Sequence, residues 1–298
     1  MTTTSLPGSG TTSGLRDVPG SRKRVTINAA QSLHARLAAA SVDMREALAL
    51  WRLVWKLSLL DIRLRYRGSV LGPFWLTLST GVMVGALGVL YAGLFHLDIK
   101  TYLPYLALSL ILWNFLSAMT AEGCTCFTAA EAMIRANRMP FSLHAGRVVI
   151  RNFLVFAHNI VIVAVVFAVM GKMPGAKSYL VLPGLALWFV DGMAACLLLG
   201  AFCARFRDIP PIITSVMQIA FFMTPVIWSP TILEHRHIGV WLIDLNPFYA
   251  LLEIVRGPLD GTPVHLAIWG FAFGCSGVLV LLAGVFFALA RPRLAYWV

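Results

Sequence analysis

The chain reads as an all-α integral membrane protein with six transmembrane helices, and three observations lead there. Of its 298 residues 59% are hydrophobic and mean hydropathy is +0.79, against roughly 45–50% apolar residues in soluble domains. Runs with few or no charges recur near residues 74–97, 101–121, 152–171, 178–204, 210–232 and 264–290. Each is near the ~20 residues that an α-helix needs to cross about 30 Å of hydrocarbon. The cations crowd to one side of these runs: of 24 Lys and Arg, eleven lie in the first 73 residues, four in 122–151, and two each at Arg205/Arg207 and Arg291/Arg293. Only Lys100, Lys172, Lys177, Arg236 and Arg256 fall on the other side. Such an excess marks the cytoplasmic loops, so six spans place both termini in the cytoplasm. The net charge of +11 then sets topology and attracts anionic membrane lipid, and no nucleic acid is expected as a partner.

Residues 1–41 are expected to form a disordered cytoplasmic tail. Its first 31 residues are rich in Thr, Ser, Gly and Arg, without the 7–15 apolar residues of a secretory signal. Residues 42–298 form one transmembrane domain, opening with an amphipathic helix over 42–67. There Arg45, Arg52, Lys56 and Arg63 stack along one stripe, while Leu50, Leu53, Leu57, Leu60 and Leu64, joined by Trp51 and Trp55, fill another face. A basic, Trp-bearing helix of this kind lies in the inner membrane interface. Gly72 and Pro73 suit the start of the first span.

Between the second and third spans the polar stretch 122–151 holds a short amphipathic helix around Glu131, Arg135 and Arg138, closed by Pro140. About six residues, Arg205 to Pro210, join the fourth span to the fifth. The external segment Ser229–Pro263 carries apolar stretches at 238–242 and 248–255, with Asn246-Pro247 as a helix start. It is expected to form two short re-entrant helices before the last span.

Chemistry is sparse. No phosphate-binding glycine loop, G-x-S-x-G or H-E-x-x-H occurs. Cys124 and Cys126 form a C-x-C pair without the companions of a zinc site, and read as small interfacial residues. His235 and His237 read as a solvated turn. Asp191 and His158 are the two candidates for an intramembrane proton or ion relay, too few for a gradient-driven transporter. Asp191 sits near the centre of the fourth span, where an ionised carboxylate costs about 2.5–3.5 kcal/mol. It lines a polar conduit, or is protonated, or is hydrogen-bonded to Asn114, His158 or Asn159.

Three ordered segments resemble one family. Arg65-Tyr66-Arg67-Gly68-Ser69-Val70-Leu71-Gly72-Pro73-Phe74-Trp75 is similar to the first-span motif R-Y-x-x-S-x-L-G-x-x-W of type 2 ABC exporter permeases, the branch exporting O-antigen, teichoic acid and capsular polymers. Arg207-Asp208-Ile209 through Gln218, continuing as Phe221-Phe222-Met223-Thr224-Pro225-Val226-Ile227-Trp228, resembles the family's fifth span. Leu245-Asn246-Pro247-Phe248-Tyr249 with Glu253-Ile254-Val255-Arg256 resembles its last external segment. The likeness runs from about residue 45 onward. Leu60 replaces the common Arg before Asp61, and Ser79 replaces a common Pro, which implies a straighter first span.

The resemblance implies a permease subunit rather than an enzyme. It would be a homodimer paired with two copies of a separate ABC ATPase that carries ATP and Mg, moving a lipid-linked polysaccharide outward while binding no cofactor itself. An exporter of a drug or other lipophilic molecule, and a non-transporting membrane scaffold, are the alternatives. Under the first reading Glu131, Met133, Arg135 and Arg138, with Arg207 and Asp208, are the ATPase-coupling residues. Arg65, Tyr66, Ser69, Leu71, Gly72 and Trp75 carry the family motif. Tyr91, Phe95, Phe221, Phe222 and Trp228 line the substrate path, aromatic faces suiting sugar C–H groups; belt anchoring at span ends is the competing role. Asn246, Pro247, Glu253 and Arg256 form an outer gate.

Overall fold

The computed structural model describes residues 32–68, 74–175, 177–230, 243 and 245–298. Among these the chain is helical, with no strand. The order is α1 (Leu33–Ala49), α2 (Trp51–Arg65), α3 (Phe74–Leu94), α4 (Ile99–Cys124), α5 (Glu131–Ala136), α6 (Phe141–Met170), α7 (Val181–Arg205), α8 (Ile209–Met223), α9 (Pro247–Asp260) and α10 (Leu266–Trp297). Among the described residues five helices are long and apolar enough to cross a membrane: α3, α4, α6, α7 and α10. The chain is an all-α integral membrane protein.

Four boundaries differ from expectation, each for a local or tertiary reason. First, the helix begins at Leu33, not after residue 41: the Ser32 side chain accepts from Ala35 N–H at 3.4 Å, and α1 packs on α6 and α10. Second, the single helix expected over 42–67 is two helices meeting at Leu50. Third, α6 starts at Phe141, eleven residues before the expected span, because its polar first turns are buried in the protein rather than solvated.

The fourth difference is the largest. The expected span 210–232 is helical only over Ile209–Met223, about 22 Å at 1.5 Å per residue and short of the hydrocarbon thickness. Pro225 disfavours helical geometry at the residue before it, and Thr224 is extended at φ −92°, ψ 136°. The motif residues Ser69, Leu71 and Gly72, the His235/His237 turn and the apolar stretch 238–242 lie outside the described residues.

Helix α4 is the hub. It packs on α3, α6, α7, α8 and α9, and 67% of the residues in its most apolar stretch are buried, against 17% in α3. In hydrocarbon, apolar surface gains little by leaving lipid, so close contact holds the helices together and small residues mark the contacts. Gly200 of α7 is one: a Cβ there would lie 2.4 Å from Cys126 Sγ and 3.0 Å from the Gly123 carbonyl oxygen. The Cys126 thiol donates to the Cys196 carbonyl at 3.3 Å, so the cysteines serve this α4–α7 seam.

Candidate functional site

One end of the bundle gathers charge. The α4 C-terminus, the α6 N-terminus and α2 converge there, and six side chains interlock. Asp61 accepts from Arg147 Nε at 2.6 Å and from its Nη2, and from Arg151 Nη1 at 2.9 Å. Glu122 accepts from Arg151 Nη2 at 2.7 Å, from Asn152 Nδ2 at 2.7 Å and from Arg65 Nη2 at 2.7 Å. Three guanidiniums against two carboxylates make a bidentate network of the kind that fixes geometry as well as charge. Burial draws the Arg65 guanidinium down, and the Glu122 hydrogen bond and charge more than offset it, so its pKa stands above the ordinary value. The family-motif residue Arg65 thereby ties α2 to the end of α4.

Beside this network Asp43 of α1 is fully buried. Pro140 occupies the N-cap of α6 and offers no side-chain acceptor. Asp43 supplies it instead, accepting from Phe141 N–H at 3.2 Å, Ser142 N–H at 2.9 Å and Ser142 Oγ at 2.7 Å. A carboxylate at a helix N-terminus satisfies orphan donors and meets the positive dipole end. Arg291 Nε of α10 closes the arrangement at 3.0 Å.

Over this base projects α5, six residues with none buried. Glu131 and Arg135 pair at 2.8 Å one turn apart, and Arg135 Nη2 donates to the Val298 carbonyl at 3.1 Å. Met133 is half-buried, its Sδ 3.8 Å from Arg147 Nη1. Arg138 is exposed but lies beyond the helix, since α5 ends at Ala136 and Asn137 is already extended; the helix expected to include it is shorter. Arg207 and Asp208 are exposed in the turn before α8. Tyr66 caps α2, and Trp75 is exposed at the start of α3.

The opposite end is organised by Arg256 of α9, 2% exposed. Glu253 accepts from its Nε at 3.0 Å and from its Nη2, and the Tyr105 ring lies 4.8 Å beneath the guanidinium. Burial pulls this pKa down, and the Glu253 charge more than compensates, leaving it raised. Asn246 caps α9, accepting from Phe248 N–H at 2.9 Å and Tyr249 N–H at 3.3 Å, with Pro247 in the first turn. At Gly261 φ is +85°, a left-handed stop that ends the helix.

The aromatic candidates do not form one surface. Tyr91 of α3 and Phe95, just past its end, stack at 5.7 Å. Phe221 turns inward against Trp113 at 5.7 Å, whereas Phe222 is 66% exposed. Trp228 Nε1 donates to the Phe222 carbonyl at 3.3 Å.

Asp191 is buried between α7 and α10, with Ser276 Oγ donating to it at 2.7 Å. None of Asn114, His158 or Asn159 is that partner: His158 Nδ1 meets its own Leu154 carbonyl at 2.8 Å, and Asn159 pairs with Thr77 at 3.4 Å.

The cluster of Asp61, Glu122, Arg147 and Arg151 escaped sequence reasoning, as did Asp43 and Tyr105. The one local hint was Arg147 and Arg151 at i,i+4 before an apolar run, which placed two cations on one face without naming their partners.

Residues 50–259 match the family model described as ABC-2 type transporter, well over half of the chain. Among curated proteins the chain is 22% identical over 192 residues to the O-antigen export system permease protein RfbA of Myxococcus xanthus, covering 64% of this chain and 74% of that protein. It is 20% identical over 195 residues to the protein of the same name from Klebsiella pneumoniae, with the same coverage. With a multi-pass helical bundle and a family match across most of its described helices, this chain belongs to the ABC-2 type transporter family of membrane transport subunits.

Proposed function

We propose that the chain is the permease subunit of an ATP-driven transporter exporting a lipid-linked, O-antigen-like polysaccharide across the bacterial inner membrane. It works as a homodimer beside two copies of a separate ABC ATPase, which binds the ATP and Mg, and both termini face the cytoplasm. The observation that carries this reading is α5, an exposed helix mounted between two spanning helices over the Asp61–Glu122–Arg147–Arg151 network. A transporter without a nucleotide site of its own receives work mechanically. A short helix seated through Met133 on Arg147, over ion pairs that join α2, α4 and α6, passes a push to these three helices together. The two relatives named as O-antigen export permeases support the polymer as cargo.

Removing the chain from its cell is expected to strip polymer from the surface and to leave lipid-linked polymer inside. The tagged chain is expected to bring an ATPase with it. Unchanged surface polymer would discard this cargo, and recovery without any ATPase would favour a scaffold. Within the same assay, Tyr91→Ala combined with Phe222→Ala is expected to reduce export while dimer and ATPase pairing persist. Wild-type export from the stable double variant leaves these rings as membrane anchors only.

Asp191→Asn is expected to leave expression and export near wild-type. The amide still meets Ser276 Oγ and removes the cost of a charge in the bundle. Loss of export from a well-folded Asn variant would assign the carboxyl a transport role.

A further inference from the structure

The segment Thr224–Trp228, which follows α8, has left the helix yet is not solvated. Thr224, Pro225 and Val226 are buried, and Val226 is fully so. A buried segment outside regular structure must place its carbonyls somewhere, and here side chains from other helices take them. Tyr102 Oη donates to the Ile227 carbonyl at 2.7 Å. Tyr105 Oη stands 3.0 Å from the carbonyls of both Pro225 and Trp228. Asn246 Nδ2 donates to Thr224 Oγ1 at 2.9 Å.

A phenol has one proton, so Tyr105 serves one of its two carbonyls at a time. Arg256 decides which. Its Nη1 donates to the Pro225 carbonyl at 2.6 Å and to Tyr105 Oη at 2.9 Å. Pro225 is thereby satisfied and the phenol oxygen is engaged as an acceptor, which leaves the Tyr105 O–H for Trp228. Among the described residues the segment's main chain adds only Thr224 N–H to the Ala220 carbonyl at 2.9 Å and Val226 N–H to the Thr224 carbonyl at 2.7 Å. Among the described residues it is therefore held across to α4 and α9 by side-chain hydrogen bonds that water can replace.

We infer that Thr224–Trp228 is a releasable strap, and that Tyr102 and Tyr105 are positioning residues for transport, their hydroxyls holding the strap against α4 until the cycle frees it. This rests on the transport reading above and extends it to two tyrosines and a segment that reading left without a role. The strap follows exposed Phe222 and carries Trp228, whose Nε1 donates to the Phe222 carbonyl, so its release moves the Trp228 ring relative to α8.

The test uses the full chain with Cys275→Ala, since the four other cysteines are buried, and Val226→Cys as reporter, labelled with a polar maleimide in detergent. In this parent the thiol is protected. Tyr102→Phe and Tyr105→Phe keep the rings and remove only the hydroxyls. Each is expected to raise the labelling rate roughly five- to tenfold, the scale on which losing one hydrogen bond shifts a local opening equilibrium. Thr120→Ala removes an α4 hydroxyl that donates within its own helix, to the Leu116 carbonyl at 2.8 Å, and is expected to label like the parent. Equal labelling of the Phe variants and the parent overturns the strap, and a rise with Thr120→Ala as large as with Tyr105→Phe overturns its specificity. In the complex with its ATPase, ATP is expected to raise labelling of the parent. No rise during active hydrolysis overturns release in the cycle. Absence of any ATPase partner defeats the transport reading and the release step with it, while the hydroxyl comparison still decides whether the strap exists.

Discussion

Replacing Asp61 by Ala is expected to destabilise the protein by about 3 kcal/mol, the low end of what breaking a buried ion pair costs. Asp61 accepts from both Arg147 and Arg151, whose side chains are 20% and 15% exposed. Arg151 keeps Glu122 and water reaches part of both guanidiniums, which places the estimate at that low end. Arg147 loses its carboxylate outright, with only the Met133 thioether left near Nη1. The loss is local before it is global: α2 should exchange its amide hydrogens faster, because Asp61 is its charged tether to α6. Adding Arg147→Met to Asp61→Ala should recover part of the stability, since two apolar groups need no partner. Chemical denaturation in detergent with hydrogen exchange over α2 checks both points. An Asp61→Ala protein as stable as wild type would mean that water suffices for Arg147 and Glu122 for Arg151.

Reversing the charge of Arg135 and Arg138 together to Glu is expected to abolish capture of the ATPase while leaving insertion and dimer assembly intact. The fold should tolerate it. No residue of α5 is buried, and the new like-charge pair with Glu131 costs only about 0.2–0.5 kcal/mol at i,i+4. What changes is the surface offered outward, from two cations to two anions, and charge of the wrong sign at a contact is worth several kcal/mol against association. Co-purification and stimulated ATP hydrolysis measure it. A fully active complex from the doubly reversed chain would remove α5 from the docking surface. The structure adds a refinement: Arg135 is also held by Glu131 and Val298, whereas Arg138 stands outside the helix. Single reversals should therefore differ, with Arg138→Glu leaving the local geometry less disturbed.

Most of the architecture was legible because it is written in local terms. Five of the six apolar runs are long helices within a few residues of where hydropathy put them, apart from the early start of α6 and the late end of α10 at Trp297, and Asn246-Pro247 opens α9. The charged helix before Pro140 is present as α5. Span length fails as a guide where a single Pro outweighs the window average: Thr224–Trp228 is apolar enough to count as span, yet Pro225 ends the helix and other helices take up its carbonyls.

What the sequence by itself determined is the class of solvent and the set of helices, since hydropathy, capping and proline punctuation act over one window or one turn. What only the tertiary structure decided is which charge meets which. Asp61 and Arg147 are 86 positions apart, Tyr105 and Trp228 are 123 apart, and Asp43 and Arg291 are 248 apart. The same decision made Asp43 the cap of another helix, gave Asp191 the partner Ser276, and set Cys126 against α7. Each partner becomes a neighbour only when the helices pack, and in a low-dielectric interior an unpaired charge or carbonyl is costly enough that packing and pairing are settled together.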